Sequence, residues 1–130
     1  MRQIVYHSVA SDDLDEGEIF RIISQASANN SRSDLTGFLI FSGGRFLQLL
    51  EGEERELLRV FDKIKQDDRH TDVSTAYEVD ISQRSFPDWR MKRFSASDSA
   101  EALDALGKRQ GGLLAPRVVD AVTTFFDLSS

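Results

Sequence analysis

Two polar side chains stand inside runs that otherwise read as buried strands. Gln48 lies in Phe46-Leu47-Gln48-Leu49-Leu50, where an amide without a partner costs about 1–3 kcal/mol. At a sheet edge the amide would reach water; in a central strand it needs a hydrogen-bonding neighbour. Tyr6, in Ile4-Val5-Tyr6-His7, also carries a polar tip in an apolar run. A phenol and an amide on adjacent strands meet if they face the same side. Other conspicuous residues have plain structural readings. Asn29-Asn30 suits the end of a helix, where Asn tolerates the left-handed conformation. Trp89 and Met91, two apart, share one face of a strand and serve as core filler. Asp67-Asp68-Arg69-His70 reads as a solvated helix terminus, with Arg69 and His70 set against its negative end. The only other His is His7 and there is no Cys, so neither a multi-His metal site nor a thiolate site, thiol nucleophile or disulfide can form.

The elements that must position these residues follow from the periodicity. Arg2 to Val9 is β-branched and aromatic and stops at Ser11-Asp12-Asp13. From Leu14 to Asn30, Ile19, Ile22, Ile23 and Ala26 form one helical stripe, with Asp12 or Asp13 as N-cap. Leu35 to Phe41 and Arg45 to Glu51 flank Ser42-Gly43-Gly44 as a hairpin. Both are apolar at nearly every position, so both faces of the sheet must be covered. After Gly52, Leu57, Phe61 and Ile64, with Leu58 beside them, predict a second amphipathic helix to about Asp67. Asp72 to Ile81 and Trp89 to Phe94 read as strands, Asp98 to Leu106 and Pro116 to Leu128 as helices separated by Gly111-Gly112.

The order β-α-β-β-α-β-β is the ferredoxin-like α+β pattern. Strands one and three are expected side by side and parallel in the middle, with both crossover helices on one face. The two C-terminal helices would cover the other. Strand three being central, Gln48 needs a partner, and strand one offers Tyr6.

The chain has 130 residues, enough for one domain with a sizeable core. With 16 Lys and Arg against 22 Asp and Glu the net charge is −6 and there is no basic stripe, which argues against nucleic acid and anionic membranes as partners. No apolar run approaches the ~20 residues of a membrane span, and no charged-then-apolar leader opens the chain. A cytoplasmic protein is expected.

The set of polar residues is more specific than its members. Ile4-Val5-Tyr6-His7-Ser8, the run from Ala28 through Asn30 and Arg32 to Thr36-Gly37, the run from Gly44 through Gln48 to Glu51-Gly52, Asp67 to His70, and Phe86-Pro87-Asp88-Trp89-Arg90-Met91 occur here in order. In these stretches the chain resembles the BLUF family, blue-light sensors that use FAD, and it looks like a short stand-alone member. The resemblance implies a BLUF domain over residues 1–95 and a helical extension over 96–130 packed on the sheet. It implies a flavin between the two crossover helices, flanked by Ile22 and Ile64. Asn30 matches the amide that bonds the polar edge of the ring, Arg69 a donor to a ring carbonyl with His70 beside it, and Arg32 a contact to the ribityl or phosphate end. Tyr6 and Gln48 match the photochemical pair, in which the tyrosine donates an electron and a proton and the glutamine is left reoriented or tautomerised, giving a red-shifted state. Trp89 and Met91 match residues found near the glutamine, and either could face inward.

A photoreceptor and not an enzyme, signalling to a protein partner and assembling as a homo-oligomer, is therefore expected. The alternative within the fold is an FAD-binding regulatory module insensitive to light. A hydrolase of the acylphosphatase sort is disfavoured, because strand one is followed by Ser8-Val-Ala-Ser-Asp-Asp13 and not by a Gly-rich phosphate loop with an Arg. The tail either covers the sheet, binds the partner, or does both.

Overall fold

A computed structural model describes residues 1–10, 34–66, 70–109 and 114–129. The elements are β1 (Arg2–Ala10), β2 (Thr36–Ser42), β3 (Arg45–Gly52), α1 (Glu54–Lys65), β4 (His70–Asp80), β5 (Arg90–Ser95), α2 (Ser99–Arg109) and α3 (Pro116–Ser129). The helix expected over 14–30 and the turn at Gly111-Gly112 lie outside the described residues.

The strands form one sheet in the order β4-β1-β3-β2-β5. As expected, β1 and β3 are central neighbours, but they run antiparallel, not parallel, with Arg2 opposite Gly52 and Val9 opposite Arg45. The hairpin is the reason. Gly43 and Gly44, at φ 60° and 77°, make a two-residue turn between Ser42 and Arg45 that reverses the chain. The connection from β1 brings the chain back into β2 in the same direction as β1. The returning strand β3 lies between them and so opposes both. At the far edge β5 adds parallel to β2, with a register irregularity opposite Gly37 and Phe38.

Alternation along the central strands sorts side chains to two faces. Ile4 and Tyr6 of β1, Leu39 of β2, and Phe46 and Leu50 of β3 pack with Leu57, Val60 and Phe61 of α1. Val5, Phe38, Ile40, Leu47 and Leu49 point the other way, against Ala102 and Leu106 of α2 and Val118, Val122 and Phe125 of α3. The C-terminal helices thus cover the face that the crossover helix leaves bare. Each is started by local chemistry. Asp98 accepts the Glu101 N–H at 2.8 Å while Glu101 accepts from the Ser97 N–H and hydroxyl, which also holds its carboxyl below the usual range. In α3, Pro116 opens the helix and the Ala115 carbonyl takes the N–H groups of Val118 and Val119.

The stripe of α1 differs in one residue from the expected set. Leu57, Val60 and Phe61 are buried and Leu58 is 36% exposed. At 100° per residue Leu58 falls off the line that joins 57, 61 and 64, and Val60 falls on it. Glu54 and Glu56 in the first turn and Lys63 and Lys65 in the last complement the helix dipole. No helix among the described residues is long and apolar enough to cross a membrane.

Candidate functional site

Tyr6 and Gln48 are directly opposite each other in the β1–β3 ladder, so their side chains leave the sheet on the same face. Both are buried, at 2% and 3% exposure. The Tyr6 hydroxyl donates a hydrogen bond to Gln48 Oε1. Each polar tip thereby gives the other a partner, as strands this apolar require. Around them Ile4, Leu39, Phe46 and Leu50 form the floor and Leu57, Val60 and Phe61 the roof, with Ile64 packed against the cluster. The Tyr6 ring lies 5.2 Å from that of Phe61, tilted by 49°. An apolar layer interrupted by one phenol and one amide suits a flat apolar ring system with a polar edge, and an oxidised flavin is such a group. The amide presents donor and acceptor on one rotor, so turning it exchanges what it offers.

The other expected site residues are distributed unevenly. Ile64, at the end of α1, joins the Tyr6–Gln48 face. Ile22, Asn30, Arg32 and Arg69 lie outside the described residues. The backbone of His70 opens β4 opposite Ala10, and that of Met91 lies in β5 between Arg90 and Lys92. Trp89 is not brought to Tyr6 and Gln48. It belongs to the cluster on the tail face, with its ring 5.0 Å from Phe86 and 6.4 Å from Phe38. Its carbonyl accepts the Gly37 N–H at 2.9 Å, fixing the start of β5 to β2.

On that tail face sits a second polar site, which the sequence reading passed over. Glu51 is fully buried and its carboxylate accepts from Gln3 Nε2 at 2.9 Å, Thr36 Oγ1 at 3.2 Å, and the backbone N–H groups of Ser85 and Phe86 at 3.0 and 2.6 Å. Gln3, also fully buried, accepts at Oε1 from the Tyr77 hydroxyl at 2.6 Å and from Arg117 Nε of α3 at 3.0 Å. Arg84 donates to Thr36 Oγ1 and to the Glu51 carbonyl. The signal was available. Glu51 ends an apolar strand as Gln48 interrupts it, and three residues' separation places the two on opposite faces.

Burial pushes the Tyr77 phenol up to about 12 from 10, against the opposing pull of Arg117. The folded state therefore holds that proton where the unfolded chain releases it. The stability so gained is complete below pH 10 and is lost as pH rises toward 12. Denaturant melts between pH 9.5 and 12 are expected to fall less steeply for Tyr77→Phe than for the unaltered chain; identical slopes would remove Tyr77 from this role. Burial and the Arg45 guanidinium, 3.2 Å from Nδ1, lower the pKa of His7 in the same sheet.

The sequence pattern described as sensors of blue light using FAD matches residues 1–92. The chain is 39% identical over 70 residues to the blue light- and temperature-regulated antirepressor BluF of Escherichia coli K12, covering 54% of this chain and 17% of that protein. It is 33% identical over 89 residues to photoactivated adenylate cyclase subunit beta of Euglena longa, covering 68% of this chain and 10% of that one. It thus spans a small part of these curated relatives. Among solved structures, Klebsiella pneumoniae BlrP1 with manganese and cyclic diGMP superposes with a TM-score of 0.84 at 25% identity, over 97% of this chain and 32% of that one. BlsA in its photo-activated state shares the fold, with a TM-score of 0.75 at 22% identity over 96% and 93% of the two chains. The family match defines one class, a sensory module that reads blue light through a flavin. The chain belongs to the BLUF family, the sensors of blue light using FAD, and FAD is its cofactor.

Proposed function

We propose that Tyr6 and Gln48 are the photochemical pair of this sensor, and that the observation carrying this reading is their buried hydrogen bond on the α1 face of the sheet. FAD supplies the absorption of blue light and an excited state able to oxidise a nearby phenol. Tyr6 gives up an electron and its hydroxyl proton, and Gln48, bonded to that hydroxyl, is the adjacent group able to accept and return a proton. When both have returned to Tyr6, Gln48 remains turned or tautomerised, offering a donor where it offered an acceptor. With FAD bound, the new arrangement would direct a stronger hydrogen bond to the polar edge of the ring, which would move the absorption slightly to the red. Ile64 and Ile22 would flank the bound ring. Asn30 and Arg69 would hold its polar edge, with His70 beside Arg69, and Arg32 the ribityl or phosphate end. Met91 transmits the change at Gln48 to β5, while Trp89, on the tail face, ties the start of β5 to β2.

Residues 1–95 form the light-sensing unit and 96–130 an extension. The output is a shift in the population of two arrangements of β5 and this extension, read by a downstream signalling protein in the cytoplasm. The chain acts as a homo-oligomer and without enzymatic activity of its own.

Tyr6→Phe tests this reading. The variant is expected to retain FAD and its dark spectrum, since only the hydroxyl is removed, and to lose the reversible red shift. A red shift of unaltered size in Tyr6→Phe would overturn the role of Tyr6. An unaltered chain that binds FAD and shows no shift would instead be a regulatory module insensitive to light.

A further inference from the structure

Glu51 is a fully buried carboxyl for which the chemistry of Tyr6 and Gln48 has no use. It lies three residues from Gln48 on β3, about 10 Å along the strand and on the opposite face. Between them β3 is stiff, paired with β1 along its whole length and with β2 along nearly all of it. The Glu51 carboxylate collects donors from three other places: Gln3 on β1, Thr36 on β2, and two successive backbone N–H groups in the segment that leads into β5. Through Gln3 the same network reaches Tyr77 of β4 and Arg117 of α3. One side chain on the strand of Gln48 thus fixes both the 81–89 segment and the tail helix. A cleft lined by Arg84, Phe86, Ala115 and Val118 marks the seam between those two parts.

We propose that Glu51 is the positioning residue that couples Gln48 to the 81–89 segment and to α3. The proposal rests on the role given to Gln48 above. When Gln48 changes its hydrogen bonds, β3 moves together with the strands paired to it, as one body, against the 81–89 segment and α3. The N–H groups of Ser85 and Phe86, held at 3.0 and 2.6 Å, are sensitive to such a shift, because a displacement of about 1 Å takes either beyond good hydrogen-bond geometry. The carboxylate then loosens its hold on the segment and, through Gln3, on Arg117, and the seam opens. This coupling runs along the face opposite to the pair and needs no contact between Trp89 and Gln48.

Hydrogen exchange of the FAD-loaded full chain, in the dark and under continuous blue light, reads this directly. Light is expected to lower protection in residues 82–89 and at the start of α3. Glu51→Gln keeps the size of the side chain but leaves one acceptor oxygen for donors that had two. It is expected to keep the red shift and lose the light–dark difference at both places. Arg117→Gln is expected to keep the difference in 82–89 and lose it in α3, and it decides the matter if Glu51→Gln does not fold. A carboxylate with only a structural role would change exchange equally in dark and light, leaving the difference intact, and that result overturns the proposal. A wild-type chain that shifts to the red with no exchange change in either segment overturns the coupling and leaves Gln48 its role. A wild-type chain with no red shift overturns both.

Discussion

Gln48→Leu is expected to give a folded, FAD-binding protein whose absorption does not shift under blue light. Leucine suits the site, which is already lined by Leu39, Leu50 and Leu57. What is lost is the acceptor for the Tyr6 hydroxyl and the only rotor in the pair that carries both a donor and an acceptor. Removing one buried hydrogen bond costs about 0.5–1.5 kcal/mol, and leaving the phenol short of an acceptor adds to it. A domain of this size has about 5–15 kcal/mol of stability, so the variant remains folded. The loss of the light response, by contrast, is complete, because no side chain is left to store the change after the electron and proton return. Dark and lit spectra of the purified variant check this, with flavin content measured alongside. A normal red shift would remove Gln48 from the mechanism.

Gly37→Ala is expected to have the largest effect on stability. Gly37 sits in β2 between β3 and β5 at φ +151°, and a Cβ there would lie 1.8 Å from the Leu49 carbonyl oxygen. That oxygen is backbone and cannot turn aside, so the strands must part. The Gly37 N–H also donates to the Trp89 carbonyl, so any retreat of β2 strains the attachment of β5 as well. A cost of about 4 kcal/mol or more follows, a large fraction of the whole. Gly44 is the control. Its φ is +77°, yet a Cβ there meets nothing within 4 Å, so Gly44→Ala bears only the left-handed backbone cost of about 1–2 kcal/mol. Urea melts of the two variants are expected to rank in that order, and a Gly37→Ala chain within 1 kcal/mol of wild type on this scale would contradict the packing described.

Much of this architecture is legible in the residues because few physical solutions exist. Gly43-Gly44 between two apolar runs admits a two-residue hairpin turn, and the stripe of α1 admits one buried face. Cost alone says that Tyr6 and Gln48 each need a partner; that they meet depended on their facing the same side, which the β1–β3 register supplies. The relative direction of β1 and β3 was missed because adjacency does not carry direction; it emerges only when the hairpin reversal is added to the crossover. Glu51 escaped because its donors come from far along the chain, with Ser85 34 residues away and Phe86 35. Gln3, near the start of a strand, looks like a solvated residue until Arg117, 114 residues on, is packed against it. The side taken by Trp89 is equally nonlocal. It precedes β5 at a point where the register with β2 is irregular, so alternation could not be counted through it.

The central claim is that light acting on FAD leaves the Tyr6–Gln48 pair in a second hydrogen-bonded arrangement. The most direct measurement is the absorption spectrum of the purified, FAD-loaded chain in the dark, immediately after blue light, and again after dark recovery. A flavin spectrum that moves slightly to the red and returns is the predicted result. A flavin spectrum unchanged by light, or a chain that stays colourless when reconstituted with FAD, would contradict it.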